Sequence, residues 1–126
     1  MKSLLLSLAL CLLSFGIYAQ KNSTPRKISS LKLERKLKKD IQLVDVRTEK
    51  EFNEQHIEQA ININIEDVDF EKNIQALDKT KPVYLYCRSG KRSNKAAQKM
   101  SSMGFKKIYD LNGGILSWNE KIEKRK

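Results

Sequence analysis

Two cysteines and a single histidine, His56, are all the thiol and imidazole metal ligands that 126 residues provide. With no second histidine or cysteine beside His56, a metal centre is not expected, and His56 reads as a structural residue near a helix. Two cysteines cannot build a disulfide framework. Internal repeats and low-complexity tracts are absent, which excludes solenoids and arrays. The one long apolar run, Leu4 to Ile17, is shorter than the roughly 20 residues that a membrane span requires. Acids are outnumbered, 15 against 25 Lys and Arg, for a formal charge of +10. The excess is spread along the chain, denser at Lys36, Lys38 and Lys39 and at Lys121, Lys124, Arg125 and Lys126. It reads as solvated helix faces and a charged tail. No exposed aromatics are interleaved with it, so no nucleic-acid partner is expected. Small anions and acidic partners would still be drawn in.

What is present starts with a leader. Met1-Lys2, the apolar run and then Tyr18-Ala19-Gln20 follow the order of a secretory signal peptide, cleaved after Ala19. Leu10, directly before Cys11, is too bulky for a lipidation signal. The expectation is an exported protein, periplasmic or secreted, with no stable membrane insertion after cleavage; a leader kept uncleaved as an anchor is the alternative. The mature chain would then hold one cysteine, Cys87. A lone thiol outside the cytoplasm is either inert and buried, bridged to another molecule, or a nucleophile. Residues 20–27, with Pro25, read as a linker, 28–123 as one domain, and 124–126 as a basic tail.

Within the domain, helical and strand patterns alternate. Ser30 is placed to cap a helix bearing Leu33 and Leu37. Ile41 to Val46 is a β-rich run, and Thr48 with Glu51 has the spacing of a capping box. Ala60 to Ile65 alternates apolar and polar as a short strand does, and Glu66 to Leu77 fits a ragged helix. Pro82 to Tyr86 is apolar enough to be a strand buried on both faces. Ala96, Ala97, Met100 and Met103 mark a helix closed by Gly104. Lys107 to Leu111 is another strand. Gly113-Gly114 turns into a last helix with Ile115, Trp118 and Ile122 on one face, where Trp118 reads as core. The order predicts an α/β fold with a mainly parallel sheet.

Cys87 falls where the buried strand ends and a helix begins. Carboxyl ends of parallel strands are where open α/β sheets bind ligands. A helix start offers unpaired N–H groups and partial positive charge. Arg88, Lys91 and Arg92 add cations that favour a thiolate, and Gly90 lets successive amides turn inward. The pattern describes an anion cradle with a nucleophilic sulfur at its floor.

Cys87-Arg88-Ser89-Gly90-Lys91-Arg92-Ser93 resembles the active-site loop of single-domain rhodaneses, the sulfurtransferases. Two further blocks are similar in order and spacing: Asp45-Val46-Arg47 with Glu51-Phe52, His56-Ile57 and Ala60-Ile61-Asn62, and Gly113-Gly114 with Trp118. The match runs from about Ile28 to Lys121. The family usually has Gly where Gln55 stands, often Pro-Gly where Glu58-Gln59 stands, and commonly Pro at the place of Asn64. The resemblance implies a central five-stranded sheet flanked by helices on both faces. It implies that Cys87 takes sulfane sulfur from thiosulfate or a similar donor as a persulfide and passes it to cyanide or a thiol. Loop amides from Arg88 to Ser93 would hold the persulfide, with Arg88, Lys91 and Arg92 orienting the donor and Ser89, Gly90 and Ser93 completing the binding loop. No cofactor or metal is implied, and a monomer acting on a small anionic donor and a thiol or protein-thiol acceptor is expected. Asp45 and Arg47 read as structural neighbours of the site, with Arg47 paired to an acid such as Glu51. The alternatives are a non-enzymatic persulfide carrier or partner-binding module and, more remotely, a cysteine phosphatase. Phosphatase loops place five residues between cysteine and arginine, whereas four separate Cys87 from Arg92.

Overall fold

The computed structural model describes residues 23–126; the expected leader, Met1 to Ala19, lies outside them. Five strands and five helices follow in the order β1 (Arg26–Ile28), α1 (Ser30–Lys36), β2 (Gln42–Asp45), α2 (Glu49–Glu54), β3 (Ile61–Asn62), α3 (Phe70–Ile74), β4 (Val83–Tyr86), α4 (Lys91–Ser102), β5 (Ile108–Leu111) and α5 (Gly114–Glu123). All pairings are parallel, and the sheet order is β1-β5-β4-β2-β3. The α/β fold with helices on both faces is therefore present.

Alternation along β4 divides the core in two. Val83 and Leu85 face one way, with Cys87 just beyond. They join Phe70 and Ile74 of α3, Ala96, Ala97 and Met100 of α4, and Phe105. Tyr84 and Tyr86 face the other way, against Leu33 of α1 and Ile115 of α5. β4 is thus buried on both faces, as its sequence indicates.

From β2 the chain moves outward to β3, whereas from β4 it moves in the opposite direction to β5. The carboxyl ends of β2 and β4 are adjacent and their connections diverge. That is the switch point where open α/β sheets form their crevice. Val46 and Arg47 follow β2 there, and Cys87 follows β4.

The sequence reading needs several corrections. Arg26 and Lys27 are not linker: with Ile28 they pair with Tyr109, Asp110 and Leu111 as the edge strand, held by the Lys27–Asp110 ion pair at 2.6 Å. Ser29, not Ser30, caps α1, accepting from the Lys32 N–H. Helix α3 is only five residues long, because Asn64 and Asp67 accept the N–H groups of Glu66 and Asp69 and turn the chain instead. Strand β3 is two residues long. Ile122 is exposed at 40%, whereas Trp118 is half-buried, packed against the core as expected and covered by Lys121. The basic tail is not loose, since Arg125 pairs with Glu34. The Thr48–Glu51 capping box forms as expected. Gln59, where the family often has glycine, adopts φ +74°, and its side chain donates to the Leu37 carbonyl at 2.9 Å.

Candidate active site

Cys87 directly follows β4 at the floor of the crevice and is 1% exposed. Gly90 stands before α4 with φ +119°. That conformation folds the chain back so that the Gly90 N–H donates to Cys87 Sγ at 3.0 Å. Ser93, one turn into α4 and fully buried, places Oγ 3.3 Å from Sγ and 3.3 Å from the Gly90 carbonyl. The thiol donates to Ser93, and Ser93 donates to that carbonyl. Once the thiol proton has left, the Ser93 hydroxyl can rotate and donate to sulfur instead. Sulfur then has two donors besides the amino end of α4, an arrangement that stabilises negative charge.

The far side of the loop is fixed by α5. Ile115 N–H donates to the Cys87 carbonyl at 2.9 Å, and Leu116 N–H to the Arg88 carbonyl at 3.2 Å. Gly114 makes this approach possible. A Cβ there would lie 2.4 Å from the Arg88 oxygen and 2.6 Å from the Cys87 oxygen. Sequence reasoning saw the glycine pair as a turn; its role is to let one helix start close on the carbonyls of the cysteine loop.

The expected loop cations separate into two kinds. Arg88 and Lys91 are exposed, and neither is ion-paired among the described residues. Arg92, expected to orient the donor, instead grips Glu51 through two bonds of 2.7 and 2.9 Å. This pair ties α4 to α2. The Arg92 hydrogen bond holds the Glu51 carboxyl down at about 2, below the usual carboxylate range. Ser89 is exposed at the rim.

Arg47 does not pair with Glu51. Its Nε and Nη2 bind Asp45 at 2.6 to 3.1 Å, and Nη2 also donates to the Gln55 carbonyl. Both residues are buried. Asn62 donates to the carbonyls of Asp45 and Arg47, and the Val46 N–H donates to the Tyr86 carbonyl. This network locks the end of β2 against the end of β4, and the acid that pairs with Arg47 is Asp45. His56 is exposed, stacked on Phe52 at 3.8 Å, and its Nδ1 lies 2.8 Å from the Phe52 carbonyl. Among the described residues no cluster of three metal-ligating side chains occurs.

Residues 29–121 match the family model described as a rhodanese-like domain. The Bacillus subtilis protein YqhL is 44% identical over 85 residues, which cover 68% of this chain and 66% of that protein. The Coxiella burnetii thiosulfate sulfurtransferase GlpE is 36% identical over 81 residues, 64% of this chain and 74% of that one. The crystal structure of a rhodanese-related protein from Thermoplasma volcanium superposes with a TM-score of 0.68 at 31% identity, covering 76% of this chain and 92% of that one.

Proposed function

The chain belongs to the rhodanese-like domain family, and from that premise we propose that it is a sulfurtransferase that moves sulfane sulfur through a Cys87 persulfide. The observation that carries this reading is the Gly90 N–H aimed at Cys87 Sγ at the head of α4, in a loop that carries two exposed cations with no ion-pair partner among the described residues. Arg88 and Lys91 attract a small dianion such as thiosulfate. The Cys87 thiolate attacks the outer sulfur; the S–S bond to the sulfonate breaks, and sulfite leaves with the electron pair. The new Cys87–S–S⁻ terminus extends from the same donors. An acceptor thiolate or cyanide then attacks the terminal sulfur, takes it as a persulfide or thiocyanate, and returns Cys87 as thiolate. No external electrons are needed at either half-step.

A buried sulfur at the floor of a narrow loop suits end-on approach of a single sulfur atom. A phosphatase loop grips phosphate with the guanidinium fork of the arginine that closes it, and here the fork of that arginine, Arg92, is filled by Glu51. The sequence of the leader suggests export, so the sulfur would be handled outside the cytoplasm. The test is thiocyanate formation from thiosulfate and cyanide: the unaltered chain should turn over and Cys87→Ser should not. Equal rates in both would refute the assignment. If turnover is absent but a protein thiol is loaded stoichiometrically, the chain is a dedicated carrier.

A further inference from the structure

Away from Cys87, along the β1 edge and the amino ends of the strands, two adjoining grooves of about 550 and 460 Å³ share Arg26 and Tyr109. Their walls hold eight cations and no acid, including Lys32, Arg35, Lys36 and Lys39 on the α1 side and the pair Lys106-Lys107 before β5. Among the described residues only one of the eight, Lys27, has an ion-pair partner, Asp110. The sequence spreads these residues over 80 positions; the fold gathers them on one face. So much unpaired charge of one sign repels itself unless an anionic surface meets it.

We propose that this face docks on anionic lipid headgroups, holding the domain with Cys87 turned away from the membrane. Three observations choose lipid over other polyanions. First, Ser23 and Thr24 line the smaller groove, only a few residues after the apolar run Leu4 to Ile17. Five intervening residues reach at most about 20 Å, so for as long as the leader is attached and held at a bilayer, that bilayer lies within reach of this face. Second, six of the eight cations are lysines. Their long stems and point charges suit a diffuse headgroup layer, where each cation contributes independently. Third, the features that would suit a peptide or a nucleic acid are closed. Pro25 supplies no N–H beside the edge strand β1, which blunts strand addition. Tyr109 is half-buried and stacked on Tyr84 at 5.0 Å, so it is no open platform for bases. The docking does not depend on retention of the leader; without it, the face would bind reversibly.

The test is co-sedimentation of the purified chain with phosphatidylcholine vesicles, with and without phosphatidylglycerol, at low and high salt. The quantity read is the extra binding given by the anionic lipid, which separates this face from any insertion by the leader. Phosphatidylglycerol should raise binding, and salt should reverse the increase. The triple change Arg35→Gln, Lys36→Gln, Lys39→Gln should cut the extra partition about a hundredfold, a factor of about five per cation. Lys106→Gln with Lys107→Gln, on the other wall, should act in the same direction, with thiosulfate turnover unchanged in both variants. Equal binding to the two vesicle types, or full anionic binding by both folded variants, would overturn the proposal. So would tighter binding of a single-stranded oligonucleotide than of the anionic vesicles at equal salt.

Discussion

Replacing Gly114 by alanine should damage both the fold and the chemistry, and Gly104 supplies the control that separates the causes. Both glycines have positive φ, +61° and +92°. For an L-residue that conformation costs about 1–2 kcal/mol. At Gly104 nothing lies within 4 Å of an added Cβ, so the backbone cost stands alone. At Gly114 the Cβ would overlap the carbonyl oxygens of Arg88 and Cys87 at 2.4 and 2.6 Å. These are backbone atoms already bonded to the start of α5, so relief requires moving the cysteine loop or the helix. Overpacking of that kind adds about 1–3 kcal/mol, for a total of roughly 2–5 kcal/mol. In a domain of about 100 residues each kcal/mol lowers Tm by about 4–8 °C. Gly104→Ala should therefore lose about 4–16 °C and Gly114→Ala about 4–24 °C more than that in thermal unfolding. At a temperature where both remain folded, Gly104→Ala should load sulfur from thiosulfate at the normal rate, and Gly114→Ala at least about tenfold more slowly. Equal Tm losses in the two variants, or normal loading by Gly114→Ala, would show that the close approach is not what shapes the loop.

Glu51→Gln should keep the capping box but lose the charge of the Arg92 pair. The carboxyl is held at about 2 instead of 4.5, so the pair contributes fully above about 4.5 and its contribution fades as pH falls through 2. With the Glu51 side chain 27% exposed, screening leaves about 1–2 kcal/mol, and urea unfolding should show the variant weaker at pH 7 and equal to the parent near pH 2. Ser93→Ala should slow persulfide formation by about tenfold, the loss of one hydrogen bond to a charged group, with KM for thiosulfate unchanged because the hydroxyl lies beneath the sulfur. Arg88→Gln with Lys91→Gln should raise KM for thiosulfate several-fold and leave Tm within about 1 °C. Arg92→Gln should do the reverse, lowering stability more than affinity, and steady-state kinetics beside thermal melts would expose an exchange of these roles.

How much of this was legible in the chain depended on range. Thr48 and Glu51 are three residues apart, so the capping box could be read directly, as could the two-sided burial of β4 and the position of Cys87 at its end. Gly104 after Met103 announced a helix end. The edge strand Arg26–Ile28 could not be read, because two of its three residues are charged and it lies beside a proline; it exists only through pairing with β5, more than 80 residues on. The Arg92–Glu51 pair spans 41 residues, and periodicity carries no information about it. Arg47 lies two residues from its true partner, Asp45, yet only the backbone turn after β2 brings their side chains together. Gly113-Gly114 was visible as a turn; its collision partners, the carbonyls of the cysteine loop, were not. The basic face is of the same kind: each lysine looked like a solvated surface residue until the sheet assembled them.

The central claim is that Cys87 holds transferable sulfur, and peptide mass spectrometry of the thiosulfate-treated protein tests it most directly. The account predicts one added sulfur atom on the peptide containing Cys87, removed by cyanide with release of thiocyanate and absent from Cys87→Ser. An unmodified Cys87 after exposure to excess thiosulfate, or sulfur that cyanide cannot remove, would contradict it.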